Sequence, residues 1–288
     1  MKKLLITGAS GFVGCRVVAR WRNEYKILAP THAELDITDR ASVDSYFLQH
    51  TPDVVVHLAA LSNTGYCEQN PDDSYLVNVE GAANIARAAA LCRARLIFFS
   101  SDQVYNGNVE SGLLNEDVRV APENVYGRHK LEAEERVLYF NPNTVVLRAT
   151  WMYDIRREGM PTHNNFVLNI EEAMRQHTSL LMATREYRGI TWVDEVVSNI
   201  PHTWKLPGGV YNFGAENTRN TYDTARAYLD IVGCTMPDIV VPDHERFAAH
   251  VRNISISMHK ATEASGGAIR FLDTVEGLRR FVSSQRLV

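Results

Sequence analysis

Tyr126 and Lys130 could run proton chemistry together. They stand four apart in Tyr126-Gly127-Arg128-His129-Lys130, and Leu131-Glu132-Ala133-Glu134-Glu135 continues with strong helix formers, so the two side chains would share one helix face. A nearby ammonium favours a phenolate. The spacing therefore predicts a tyrosine moved down from its ordinary pKa of about 10 towards neutrality, where it can give or take a proton as a carbonyl reductase requires. Read alone, the pair is equally a solvated helix pair. Ser101 adds to it from the end of the apolar run Leu96 to Phe99, where a serine could hydrogen-bond a substrate carbonyl or simply cap the end of a strand.

A second constellation lies at the start of the chain. Leu4-Leu5-Ile6-Thr7 feeds into Gly8-Ala9-Ser10-Gly11-Phe12-Val13-Gly14, which reads as a strand, a tight turn and a helix start. Gly8 would make the turn, Gly11 would let the backbone approach a pyrophosphate, and Gly14 would let the helix pack closely on the sheet. The first interval is one residue wider than in Gly-x-Gly-x-x-Gly. Free N–H groups and the positive dipole end of the helix would meet the phosphates.

The elements that must position these groups alternate. Leu4 to Thr7, Lys26 to Ala29, Val54 to Leu58, Leu96 to Ser100 and Thr144 to Ala149 read as strands, with helical segments such as Ala41 to His50 and Val77 to Leu91 between them. Continuous apolar strands separated by helices predict an α/β fold with a doubly wound parallel sheet, of Rossmann type, covered on both faces. Ligands of such sheets bind outside the carboxyl ends of the strands, which is where Ser100 to Gly107 would lie. After Tyr153 the alternation weakens. Asp154 to His163 reads as a loop, so 1–153 is expected to be the dinucleotide-binding domain and 154–288 mainly a smaller substrate-binding lobe. A strand at 209–214 is expected to rejoin the main sheet, and Thr274 to Leu287 to close the chain as an amphipathic helix with Leu278, Phe281 and Val282 on one face.

Composition narrows the function classes. The 288 residues are 45% hydrophobic and 22% charged, with a net charge of -4. That balance supplies no electrostatic reason to bind nucleic acid or an anionic membrane. No apolar run is long enough to span a bilayer, and Lys2-Lys3 precedes too short an apolar stretch for a secretory signal, so a cytoplasmic protein is expected. Cys15, Cys67, Cys92 and Cys234 are scattered, which suits reduced thiols, and the histidines show no metal-ligand spacing.

Taken in order, Gly8 to Gly14, Leu35-Asp36-Ile37, His57-Leu58-Ala59-Ala60, Val77-Asn78-Val79-Glu80-Gly81, Ser101 and Tyr126-x-x-x-Lys130 resemble the extended short-chain dehydrogenases/reductases. Within that superfamily the chain is most similar to the dTDP-4-dehydrorhamnose reductase group. This is carried by Cys67-Glu68-x-x-Pro71, Ser101-Asp102-x-Val104, Leu147-Arg148-Ala149-Thr150-Trp151-x-Tyr153, Asn164-Asn165-Phe166 and Arg252-Asn253-Ile254-Ser255. The resemblance implies an NAD(P)H-dependent reductase of a nucleotide-activated 4-keto sugar. Ser101, Tyr126 and Lys130 would be its catalytic residues, Tyr126 protonating the carbonyl oxygen and Lys130 also holding the nicotinamide ribose. Gly8, Ser10, Gly11, Phe12, Val13 and Gly14 would contact the pyrophosphate, Asp36 and Ile37 the adenine, and Leu58, Ala59, Ala60 and Thr150 the rest of the dinucleotide. Asn78 resembles the supporting asparagine of the family or serves as a helix cap. Asp102, Gln103, Asn165 and Arg188 are the substrate candidates, and Arg185 and Trp192 fall in the same lobe.

Departures from the family pattern bear on the reaction. Related 4,6-dehydratases carry a glutamate base where this chain has Gln103, and an amide takes up no proton near neutral pH, so dehydration is not expected. The rhamnose reductases usually have an aromatic residue there, which leaves the sugar open. No acid follows the second strand in Leu28-Ala29-Pro30-Thr31-His32 to hold a ribose 2′-hydroxyl, while Arg16 and His32 could meet a 2′-phosphate; this favours NADP(H) and leaves NAD(H) open. The resemblance also admits an epimerase of the same superfamily, or a non-catalytic dinucleotide-binding partner like the regulatory subunit of methionine adenosyltransferase. A homodimer is the general expectation for a soluble enzyme.

Overall fold

The computed structural model describes residues 1–236 and 238–285. Its first half runs β1 (Lys3–Thr7), α1 (Phe12–Trp21), β2 (Lys26–Leu28), α2 (Arg40–His50), β3 (Val54–His57), α3 (Thr64–Gln69), α4 (Pro71–Tyr75), α5 (Gly81–Leu91), β4 (Arg95–Ser101), α6 (Val125–Phe140) and β5 (Val145–Ala149). A π-helical turn, Leu76–Glu80, joins α4 to α5, so the helical stretch begins earlier than the expected Val77. The second half runs β6 (Trp151–Tyr153), α7 (Phe166–Gln176), β7 (Leu180–Ala183), β8 (Glu186–Arg188), β9 (Ile190–Trp192), α8 (Val193–Asn199), β10 (Gly209–Phe213), α9 (Thr221–Val232), β11 (Val240–Asp243), β12 (Arg252–Ile254), α10 (His259–Ala264) and α11 (Thr274–Gln285).

Six strands form one sheet in the order β10-β5-β4-β3-β1-β2, and every neighbouring pair is parallel. The order reverses beside β1, the switch point at which such sheets hold ligands. Alternation along the strands explains why helices cover both faces. Leu4, Ile6, Val54, Val56, Ile97, Phe99, Val145 and Leu147 enter one core, whereas Leu5, Val55, Leu96, Phe98 and Val146 enter the other, with Phe47 of α2, Ile85 of α5 and Val137 of α6.

The second half is more regular than its sequence suggested. Its short strands make three parallel pairs, β6 with β9, β7 with β11 and β8 with β12. Such brief strands carry too few residues for their period to stand out against turns. The loop expected over Asp154 to His163 lies in the irregular segment 154–165 between β6 and α7. On α11, Leu278 and Phe281 are buried and Val282 packs beside them, while Leu287 lies outside the described residues. Among the described residues no helix is long and apolar enough to cross a membrane, and no group of three or more His, Cys, Asp and Glu side chains is placed to hold a metal ion.

Candidate active site

A cleft of about 780 Å³ opens at the carboxyl ends of the parallel strands. Gly8, Gly11, Phe12, Val13 and Gly14 form one wall, Leu58 and Ala60 another, and Ser101, Tyr126, Lys130 and Thr150 the floor. Two glycines are required by the backbone. Gly8 has φ +68°, and a Cβ on it would stand 2.7 Å from the Ala59 nitrogen. A Cβ on Gly14 would strike the Gly8 carbonyl oxygen and come within 2.7 Å of the Ala9 Cα. The N-terminus of α1 has no side-chain cap, so its N–H groups are open to an anion such as a pyrophosphate.

The start of α6 is strongly fixed. Asn124 Oδ1 accepts a hydrogen bond from the Gly127 N–H at 2.6 Å, and Glu68 Oε1 accepts one from the Val125 N–H at 2.6 Å. Tyr126 and Lys130 then point from one face of this helix into the floor. Lys130 Nζ donates to the Phe99 carbonyl at 2.8 Å and lies 5.9 Å from the centre of the Tyr126 ring. One turn on, Glu134 pairs with Arg148 of β5 at 2.8 Å and accepts a bond from Ser100 Oγ at 2.5 Å, locking α6 to the sheet. Ser101 both caps and faces the cleft: its hydroxyl accepts from the Gln103 N–H at 3.2 Å and donates to Asp102 Oδ1 at 3.3 Å.

The electrostatics correct one expectation. Burial pushes the Tyr126 phenol well above its ordinary value, and the neighbouring Ser101 hydroxyl offsets this only in part. Burial outweighs any pull from the Lys130 ammonium, whose own value burial lowers to about 8, with Glu134 acting the other way. Tyr126 thus keeps its proton at neutrality, the state required of an acid that donates to a carbonyl oxygen.

Several other candidate residues lie outside the lining of this cleft. Arg16 is 4% exposed; its Nε donates to Asp154 Oδ2 at 2.9 Å, and Nη1 donates to the carbonyls of Phe12 and Pro161 at 2.7 and 3.2 Å. A buried guanidinium needs such partners, and Arg16 finds them within the fold. His32 is exposed beyond β2, 4.0 Å from Asp36, whose carboxylate accepts from the N–H and hydroxyl of Thr38 at 2.9 and 2.7 Å. Ile37 packs against Gly81, Ala59 backs onto Gly8, and Ser10 is exposed on the glycine turn. Asn78 is buried within the π-helical turn and clamps the Leu61 backbone, accepting from its N–H and donating to its carbonyl, both at 2.9 Å, so it supports the cleft wall from behind. Asn165 is also buried: it caps α7 through the Leu168 N–H and donates to the Asp154 carbonyl, while its neighbour Asn164 lines the cleft. Trp192 packs on Phe281 in the core and Arg185 is exposed outside the cleft.

The far end of the cleft is built from paired charges. Asp102 is 2% exposed and stands 3.5 Å from Arg188, whose guanidinium lies 4.8 Å over the Trp151 ring. Burial raises the Asp102 carboxyl, and Arg188 and Arg252 oppose that rise. Arg252 reaches Glu186 at 2.5 Å and Gln103 Oε1 at 2.9 Å. Arg246, on the loop before β12, adds a third guanidinium to the lining. Arg246, Arg252, His163 and Ser62 to Thr64 were not among the expected site residues. Arg252 had a signal in its motif, but only the pairing of β12 with β8 brings it beside Gln103. His163 reaches the cleft through an edge contact with Phe12, ring centres 4.4 Å apart, which no local pattern encodes.

The family model described as RmlD substrate binding domain matches residues 1–275. The chain is 30% identical over 239 residues to the dTDP-4-keto-6-deoxy-D-glucose reductase of Streptomyces niveus, covering 80% of this chain and 78% of that one. It is 25% identical over 287 residues to the spore coat polysaccharide biosynthesis protein SpsK of Bacillus subtilis, covering 99% and 98%. A crystal structure of dTDP-4-dehydrorhamnose reductase from Bacillus anthracis in complex with NADP superposes with a TM-score of 0.85 at 25% identity, covering 99% of both chains. With a glycine turn, a helix bearing Tyr126 and Lys130 and a family match over nearly its whole length, the chain belongs to the RmlD substrate binding domain family.

Proposed function

We propose that the protein is an NADP(H)-dependent reductase of a nucleotide-activated 4-keto sugar, acting on dTDP-4-dehydrorhamnose or a close analogue. The observation that carries this reading is the buried Tyr126 beside Lys130 and Ser101 in the floor of a cleft whose wall is a glycine turn. The crowding at Gly8 and Gly14 and the uncapped start of α1 fit a dinucleotide pyrophosphate. Bound there, the dinucleotide supplies a hydride to the carbonyl carbon.

The chain's own residues do the rest. Ser101 hydrogen-bonds the carbonyl oxygen and holds it near the phenol. Tyr126 gives its proton to that oxygen as negative charge develops, and the Lys130 ammonium steadies the phenolate left behind. Arg188, Arg246 and Arg252 are suited to a sugar diphosphate, for which paired guanidinium hydrogen bonds are strong. Gln103 cannot serve as a base, so elimination of water is not part of the reaction.

NADP(H) is favoured over NAD(H) because Leu28 to His32 carries no acid for a ribose 2′-hydroxyl, with His32 a candidate partner there for a 2′-phosphate. The proposal includes residues 1–153 as the dinucleotide half and 154–288 as mainly the substrate lobe, with β10 returned to the sheet. It also includes a cytoplasmic location, in keeping with free cysteines, and a homodimer, which sedimentation tests. The enzymatic test is oxidation of NADPH and NADH with dTDP-4-dehydrorhamnose. Net oxidation supports a reductase, whereas isomerised sugar with an unchanged coenzyme pool would mean an epimerase.

A further inference from the structure

Gln103 lies between the catalytic helix and the substrate-side arginines. It follows Ser101 in the short 3-10 turn Asp102–Tyr105 and is buried. Both lone pairs of its carboxamide oxygen are taken: Oε1 accepts from Asn124 Nδ2 at 3.1 Å and from Arg252 Nη2 at 2.9 Å. Its Nε2 donates to Asp102 Oδ1 at 3.3 Å. The three partners belong to three working parts. Asn124 caps α6 just before the first turn, which carries Tyr126, and Arg252 is the arm of β12 that Glu186 also holds. Asp102 faces Arg188. The backbone adds to this, since a Cβ on Gly127 would come within 2.5 Å of the Gln103 carbonyl oxygen, so the first turn of α6 rests directly on this residue.

Resting on the reductase reading, we propose that Gln103 is a positioning residue that ties the first turn of α6, and with it Tyr126, to the Arg252 arm. The phenol is then aimed at the carbonyl when that arm is seated on the substrate. A neutral amide suits the place because it accepts two hydrogen bonds and donates a third. A glutamate would keep the two acceptor contacts but lose the donor and set a second carboxylate beside Asp102. An aromatic ring would make none of the three contacts.

The test compares Gln103→Leu and Gln103→Glu with the unmodified protein. Steady-state turnover uses NADPH and dTDP-4-dehydrorhamnose, NADPH affinity is read by fluorescence, and a ¹³C-tyrosine spectrum reports ring placement, with the Tyr126 signal assigned by its loss in Tyr126→Phe. In Gln103→Leu, kcat should fall about 10- to 100-fold, with the sugar KM within about threefold and NADPH affinity unchanged. The Tyr126 signal should move while the other tyrosines stay in place. Gln103→Glu should lose activity as its carboxyl ionises and regain it towards acid pH, where a protonated carboxyl again donates to Asp102. A raised KM at unchanged kcat, or an unmoved Tyr126 signal, would overturn the proposal. If the unmodified protein oxidises no NADPH, the reductase reading fails, and the tyrosine signal still decides the link between Gln103 and α6. If Gln103→Leu does not fold, the pH response of Gln103→Glu and its tyrosine spectrum decide it.

Discussion

Replacing Arg16 by methionine separates two roles for this cation. The sequence made it a candidate for a 2′-phosphate; the fold buries it against Asp154. Its Nε and Nη2 both lie 2.9 Å from one Asp154 oxygen, the carboxylate is 0% exposed, and Nη1 ties α1 to the carbonyl of Pro161 in the 154–165 segment. Removing one member of a buried pair generally costs about 3–5 kcal/mol, because the other charge is left unpaired. Here Arg157 also reaches Asp154 at 3.0 Å and stays behind, so the lower end, about 3 kcal/mol, is expected. For a chain of this size that lowers the thermal midpoint by about 5–10 °C. Differential scanning fluorimetry measures the shift, and parallel kinetics with NADPH and NADH measure coenzyme preference, which should be unchanged. An unaltered midpoint together with a selective loss of NADPH affinity would refute this reasoning and restore Arg16 to the phosphate.

The Lys130 amine is lowered to about 8 by burial, so it is charged below that pH and neutral above it; kcat/KM should fall as pH rises through about 8, and Lys130→Arg, whose group stays charged, should flatten that limb at a lower plateau. A profile level to pH 10 in the unmodified protein would remove the ammonium from the mechanism. Gly14→Ala places a Cβ 2.7 Å from the Ala9 Cα, against an ordinary carbon contact of about 3.5 Å, so α1 must back away from the turn. NADPH titration should show affinity down at least about tenfold, and unchanged binding would contradict the crowding described at the turn. His32→Ala should weaken NADPH a few-fold and leave NADH unaffected, since a contact made by so exposed a side chain contributes little; equal losses for both coenzymes would argue against a 2′-phosphate contact.

The parallel sheet was legible because burial on both faces leaves unbroken apolar runs, and Val54, Val55 and Val56 could have little other use. The glycine turn and the Tyr126 and Lys130 pair were legible because each is local, one enforced by backbone crowding and the other by helical spacing. What escaped is what depends on distance in sequence. Arg16 and Asp154 are 138 residues apart and Gln103 and Arg252 are 149 apart, so nothing near either member announces its partner. Asn165 and Asn78 show the same limit in another form. A buried asparagine that holds backbone and one that faces a ligand are the same letter, and only the neighbours it binds separate them. The direction of the Tyr126 shift was missed because spacing reveals the nearby lysine but not the burial that outweighs it.

Stopped-flow oxidation of NADPH with dTDP-4-dehydrorhamnose, comparing the unmodified protein with Tyr126→Phe, bears most directly on the proton-donor assignment. Loss of a positioned general acid should lower the hydride-transfer rate about 10²- to 10⁴-fold while NADPH binding persists. Full turnover in Tyr126→Phe would contradict it.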